Sequence, residues 1–272
     1  MDAFKSFSMK RPILFVLILA IVWFVLMMVF TGITAGILRK PYGDATAAIL
    51  GHTFVFICAV LLIWKLGWLE ASSITRLGSG QVWLFTLGGL IYYACASLYA
   101  FYGNASFDFS ILTRLPASRA AFLVHFTVAL SEEILFRGIV LSVLTRAWGN
   151  TTRGWFRSIV ITSLLFAILH ATQVFTDRLE PSSALFLVLG TFIISIWWGA
   201  LVLAGGSVWP AVVLHFVGNA AVVMQGLSTP MLEPESLAYE RLMWFSLALG
   251  VIGIWLLIQV VSKKTGMDVH GL

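Results

Sequence analysis

The chain has 272 residues, 60% of them apolar and 11% charged, with a mean hydropathy of +0.97 and a formal net charge of +5. A soluble domain carries about 25% charged residues, so this chain cannot cover a water-facing surface with polar groups, and a soluble enzyme or binding module is excluded. Its basic residues fall between apolar runs rather than in one patch, which points to loops facing anionic lipid and away from nucleic acid.

A helix needs about 20 apolar residues to cross the hydrocarbon core. Runs of that kind extend over Pro12 to Leu38, Ala45 to Leu66, Gln81 to Tyr102, Ala120 to Leu144, Trp155 to Phe175, Pro181 to Leu203, Val208 to Leu227 and Leu242 to Val261. The expectation is an all-α polytopic membrane protein with about eight transmembrane helices, forming a single membrane-embedded domain over residues 1–272. The first run is too long for the core of a secretory leader, and no small-residue cleavage site follows a short apolar core, so it reads as a span. Cys58 and Cys95 fall inside apolar runs, as reduced buried thiols do.

Loop charges set the expected orientation. With a cytoplasmic N-terminus that side holds Lys5, Lys10, Arg11, Lys65, Arg76, Arg146, Arg153, Arg157, Lys263 and Lys264, ten in all. The other side holds six: Arg39, Lys40, Arg114, Arg119, Arg178 and Arg241. Both termini are therefore expected in the cytoplasm of a cell bounded by a plasma or inner membrane, although Arg39 and Lys40 argue the other way.

Most spans hold no charge in their interior, because each costs about 2.5 to 3.5 kcal/mol on insertion. The fourth holds Glu132, Glu133 and Arg137, the fifth holds Phe166 and His170, and the seventh holds His215 and Asn219. Glu133 and Arg137 are four apart, so they share a face and can pair, which lets both be inserted. Glu132 is rotated by about 100° and has no partner in its own helix. It must find one on another helix or remain protonated. Phe166 with His170, and His215 with Asn219, each share a helix face. A lone intramembrane histidine is usually a packing contact worth about 0.6 kcal/mol, but two histidines, an amide and an unpaired carboxyl on three spans point to one functional cluster.

Such a cluster suits acyl-group hydrolysis. A carboxylate and an imidazole can hold one water and take its proton. A second imidazole and an amide can donate to the oxygen that becomes negative when a carbonyl is attacked. The same carboxylates and imidazoles could instead bind zinc, and their spacing does not separate the two readings.

The ordered set Glu-Glu-x-x-x-Arg, Phe-x-x-x-His and His-x-x-x-Asn, on three separate spans, resembles the CPBP family. This is the family of type II CAAX prenyl endopeptidases and their bacterial relatives, also called ABI proteins. The motif core covers residues of about 118–227. The resemblance implies an intramembrane endopeptidase acting on a membrane-associated peptide or protein that enters a cavity from the bilayer. It implies that Glu132 and His170 activate the attacking water and that His215 and Asn219 form the oxyanion hole. Glu133, Arg137 and Phe166 would support them. A glutamate mechanism without metal is favoured. If a metal is present, its ligands would be Glu132, His170 and His215, with zinc as the cofactor. One departure concerns substrate: Ala171, Thr172 and Gln173 follow His170, where CAAX-processing members have further histidines. That weakens a prenylated substrate and favours a bacterial-type relative acting on another peptide or membrane protein. The family also includes members linked to bacteriocin self-immunity.

Rival readings use other residues. An aspartyl intramembrane protease needs Asp within a span, and none lies there. A serine protease would need a pair such as Ser207 with His215. A proton-coupled transporter could use the same Glu and His residues, with the Gly205-Gly206 turn and Pro210 as a broken helix. A non-catalytic scaffold would keep the fold alone.

Overall fold

Apolar runs that meet no water must close their backbone hydrogen bonds internally, and helix is the only regular structure among the described residues. The computed structural model describes residues 2–38, 43–102, 115–149, 151–172, 181–224, 251–253, 255 and 259. A short amphipathic helix α1 (Asp2–Lys10) leads into α2 (Pro12–Ile37), followed by α3 (Gly43–Lys65) and α4 (Gly80–Tyr102). Then come α5 (Leu115–Glu133), a π-helical segment (Ile134–Val140), α6 (Leu141–Trp148), α7 (Thr152–His170), α8 (Pro181–Gly205) and α9 (Trp209–Met224).

Local sequence sets these bounds. Pro12 opens α2, where its missing N–H costs nothing. Thr151 caps α7 by accepting from the Gly154 amide at 3.0 Å. Gly149 (φ +80°) lets the chain turn between α6 and α7, and Gly206 (φ +62°) does the same between α8 and α9.

Among the described residues, four helices are long and apolar enough to cross a membrane by length and composition: Pro12–Ile37, Asp44–Lys65, Thr152–His170 and Leu187–Gly205. The chain is thus a membrane protein, all-α among the described residues. Of the eight expected spans, the first three and the sixth coincide with helices to within two residues. The fourth is longer than expected and is broken by the π segment. The fifth ends at His170, not at Phe175. Most of the expected eighth span, and the loops holding Arg39, Lys40, Arg114, Arg178 and Arg241, lie outside the described residues.

Helix α2 is the lipid-facing wall. Ile13, Leu17, Ile21, Val25, Met28 and Ile33 are exposed, an apolar face that is unfavourable in water and natural against acyl chains. Helix α2 packs on α3, α3 on α5, α9 on both α4 and α5, and α7 on α8. The π segment sits at the centre and is buried throughout.

One end of the bundle is tied by polar bonds from the segment 66–79. Ser142 Oγ donates to the Ala71 carbonyl (2.9 Å), the Val208 amide to the Ser73 carbonyl (3.1 Å), and the Trp209 indole to the Ile74 carbonyl (2.9 Å). Arg146 lies over the Trp68 ring at 5.2 Å. Lys5, Lys65, Arg76, Arg146 and Arg153 belong to the elements and connections gathered at this end.

Candidate active site

The turn from α5 into the π segment carries the charges. Glu133 and Arg137 are fully buried, and Arg137 Nη1 donates to Glu133 Oε1 at 2.7 Å. Arg137 Nη2 donates to Ser195 Oγ on α8 at 2.8 Å. The guanidinium also lies 4.4 Å from the centroid of the Phe166 ring and 5.4 Å from that of Trp198, where aromatic faces partly replace its lost hydration.

Glu133 does more than neutralise Arg137. Its Oε1 also accepts from Nδ1 of His215, at 2.9 Å. That bond fixes the imidazole, which stacks on Trp198 (centroids 5.0 Å apart) and meets the edge of Phe166. The other nitrogen, Nε2, is 3.9 Å from Glu132 Oε2. His215 therefore stands between two carboxyl groups, one bonded and one just beyond hydrogen-bond reach.

His170 is fixed in a comparable way. Its Nδ1–H donates to the Phe166 carbonyl at 2.8 Å, one turn back in α7. In the neutral ring this leaves Nε2 as a free acceptor. The Phe166 and His170 rings are 4.5 Å apart, and Phe166 also packs edge-on against Phe136 at 5.1 Å. Phe166 thus touches both imidazoles and the guanidinium.

Glu132, His170, His215 and Asn219 all line one cavity of about 640 Å³. Its lining comes from the middle stretches of α2, α3, α4, α8 and α9, from α5 and the π segment, and from the C-terminal end of α7. The four predicted residues are brought together; Glu132 makes no direct ion pair with His170, and its nearest ionic neighbour is His215. Ser207 does not join them. It is buried in the turn before α9, where its Oγ accepts from the Trp209 amide at 3.3 Å. A Ser207–His215 pair is not formed, because that turn belongs to the end of the bundle tied by the segment 66–79.

Sequence reasoning missed several members of the site. His52 and Trp23 come from α3 and α2, Tyr93 from α4, His125 from α5, and Trp198 and Thr191 from α8. His125 lies seven residues before Glu132, two turns back on the same face of α5, a spacing the motif reading did not use; the others stand at no helical spacing from the motif residues, so only the packing of the helices reveals them. Among the described residues, no three His, Cys, Asp or Glu side chains are placed to share one metal ion. His215 Nδ1 is bonded to Glu133, which leaves Nε2 as the ring nitrogen that could meet a metal, and a zinc site on Glu132, His170 and His215 would need all three to close to about 2.0 to 2.2 Å from one point.

Residues 115–221 match the family model described as Rce1-like, type II CAAX prenyl endopeptidase Rce1-like. No curated protein and no solved structure matches the chain. The matched segment runs from the start of α5 into α9 and contains Glu132, Glu133, Arg137, Phe166, His170, His215 and Asn219, whereas α1 to α4 lie outside it. The motifs and the match agree, and over that segment this membrane protein is similar to the Rce1-like family of type II CAAX prenyl endopeptidases.

Proposed function

We propose that the protein is an intramembrane glutamate-dependent endopeptidase that hydrolyses a peptide bond of a membrane-associated peptide or protein. The observation that carries this reading is the single cavity into which Glu132, His170, His215 and Asn219 converge. A water held by Glu132 and by the free Nε2 of His170 donates one hydrogen bond to each acceptor and turns a lone pair toward the substrate carbonyl. Glu132 takes a proton as the water oxygen bonds to the carbonyl carbon. It returns that proton to the amide nitrogen as the C–N bond breaks, leaving a free acid and a free amine.

The negative oxygen formed in between needs donors. The Asn219 side-chain N–H groups are one source. His215 is the other, but its Nδ1–H is given to Glu133, so it donates from Nε2 only when it carries both ring protons. Glu133 and the oxyanion itself are the counter-charges for that state, since Glu132 then holds the water proton. Glu133 thereby belongs to the working site as the residue that orients His215. No step in this scheme requires a metal.

The substrate is read as a peptide segment delivered from the bilayer and not specifically a prenylated one, since Ala171, Thr172 and Gln173, not further histidines, follow His170. The test is cleavage of candidate membrane peptides by purified protein in detergent. Glu132→Gln should reduce turnover by about a hundredfold or more, the scale of a general base. The parent should keep its activity in a strong chelator. Loss of activity on chelation, restored by zinc alone, would replace the scheme with a metalloprotease.

A further inference from the structure

His52 is a buried imidazole that neither the motifs nor the scheme above employs. It comes from α3, outside the matched segment, and its ring lines the cavity with Glu132. Its Nδ1 is 2.8 Å from Ser131 Oγ, and Ser131 precedes Glu132 in the chain. Ser131 Oγ is also 3.0 Å from the Val128 carbonyl. A carbonyl can only accept, so for both contacts to be hydrogen bonds the single hydroxyl proton must go to Val128 and His52 must carry its proton on Nδ1. The neutral ring then presents Nε2 as an unprotonated acceptor. Among the described residues that nitrogen has no hydrogen-bond partner.

A peptide drawn into a cavity shielded from water has the complementary problem. Each backbone N–H that leaves water needs an acceptor, and one left unpaired costs about 1 to 3 kcal/mol. Glu132 and the free nitrogen of His170 are committed to the water, and Asn219 offers donors to the oxyanion. Beside His52, Trp23 packs at 6.3 Å between centroids and has an indole N–H without a partner. One wall of the cavity therefore carries an acceptor on an imidazole held in place by Ser131 and flanked by an apolar ring.

We infer that His52 is a substrate-binding residue, its Nε2 accepting a hydrogen bond from a backbone N–H of the peptide in the cavity, with Ser131 as the residue that fixes its tautomer. This rests on the peptidase reading. It assigns to α3 a part in positioning the scissile bond against Glu132.

Two measurements test it. Nitrogen-15 spectra of ring-labelled protein in detergent, with no ligand present, should show His52 protonated on Nδ1. Protonation on Nε2 alone would overturn the inference whatever the protein's activity. The second uses an uncleaving Glu132→Gln background and an end-blocked apolar octapeptide carrying a fluorophore, with binding read by anisotropy. His52→Asn keeps a donor near Nδ1 and removes the distal nitrogen; His52→Gln keeps an acceptor near the Nε2 position. The Asn variant should melt with the background protein and bind the peptide about tenfold more weakly, the loss expected of one hydrogen bond in a dry site. The Gln variant should recover part of that loss. Equal binding by the Asn variant would reduce His52 to a tie between α3 and α5. If the octapeptide fails to bind the background protein at all, the peptidase reading fails first, and the tautomer alone would not rescue it.

Discussion

Removing Arg137 alone leaves Glu133 as a buried carboxylate facing only His215, because the guanidinium is its closest partner at 2.7 Å and neither side chain is exposed. Breaking a buried pair on one side costs about 3 to 5 kcal/mol, more than the intact pair contributes net. Arg137→Ala should therefore lose about that much stability in a denaturant titration in detergent. Removing both charges in Glu133→Gln/Arg137→Met should recover most of it. Activity should not recover with stability, because His215 loses the full carboxylate that orients Nδ1. A double variant restored in both would confine the pair to holding the helices together. The pairing of Glu133 with Arg137 was legible from the i, i+4 spacing. The bond from His215 to the same Oε1 was not, since it joins residues 82 apart in sequence and depends on how α9 packs on α5.

At the scale of elements, the period of apolar residues located the helices but not their irregularities. The span holding Glu132 was expected as one regular helix. It is instead α-helical to Glu133, π-helical over Ile134–Val140 and α-helical again from Leu141. Nothing in Ile-Leu-Phe-Arg-Gly-Ile-Val marks such a segment, because the widened turn is a response to packing; π segments often coincide with functional sites. The segment shifts the register between Glu133 and the residues after Val140, so one continuous rod presents the charges to α8 and α9 while still burying Leu141 and Leu144. Helix approach is another element-scale property. A side chain on Gly89 of α4 would overlap the ring of Trp197, a fully buried residue of α8, and would crowd Leu214 of α9. Gly89→Ala should thus cost about 1 to 3 kcal/mol by overpacking, despite alanine's higher helix propensity. A melting temperature unchanged or raised by this substitution would show that α4 can move away from α8.

At the scale of the whole molecule, the two ends of the bundle differ in basic charge and in polar bonding. The segment 66–79 ties α6, α8 and α9 together at one end, and α1, Lys65, Arg76, Arg146 and Arg153 gather there. The cavity is lined from the middle of the bundle and extends to the other end of α7 at Leu169, His170 and Thr172. The positive-inside rule predicts that the basic end and the N-terminus face the cytoplasm and that the end of α7 carrying His170 and Thr172 faces outward. Fold class and the motif residues could be read from the sequence alone, but this arrangement could not, because it depends on how α7 and α9 pack to bring His170 and His215 to one cavity. The orientation has a direct check. A cysteine at Thr172, which lines the cavity, should react with a membrane-impermeant maleimide added outside intact cells, in a variant whose Cys58 and Cys95 are replaced by alanine. A cysteine at exposed Leu77, on the tied segment, should react only after the membrane is opened. The reverse pattern would place the basic end outside and turn the cavity toward the cytoplasm. The arrangement of the site would stand, and its substrates would have to be sought on the cytoplasmic side.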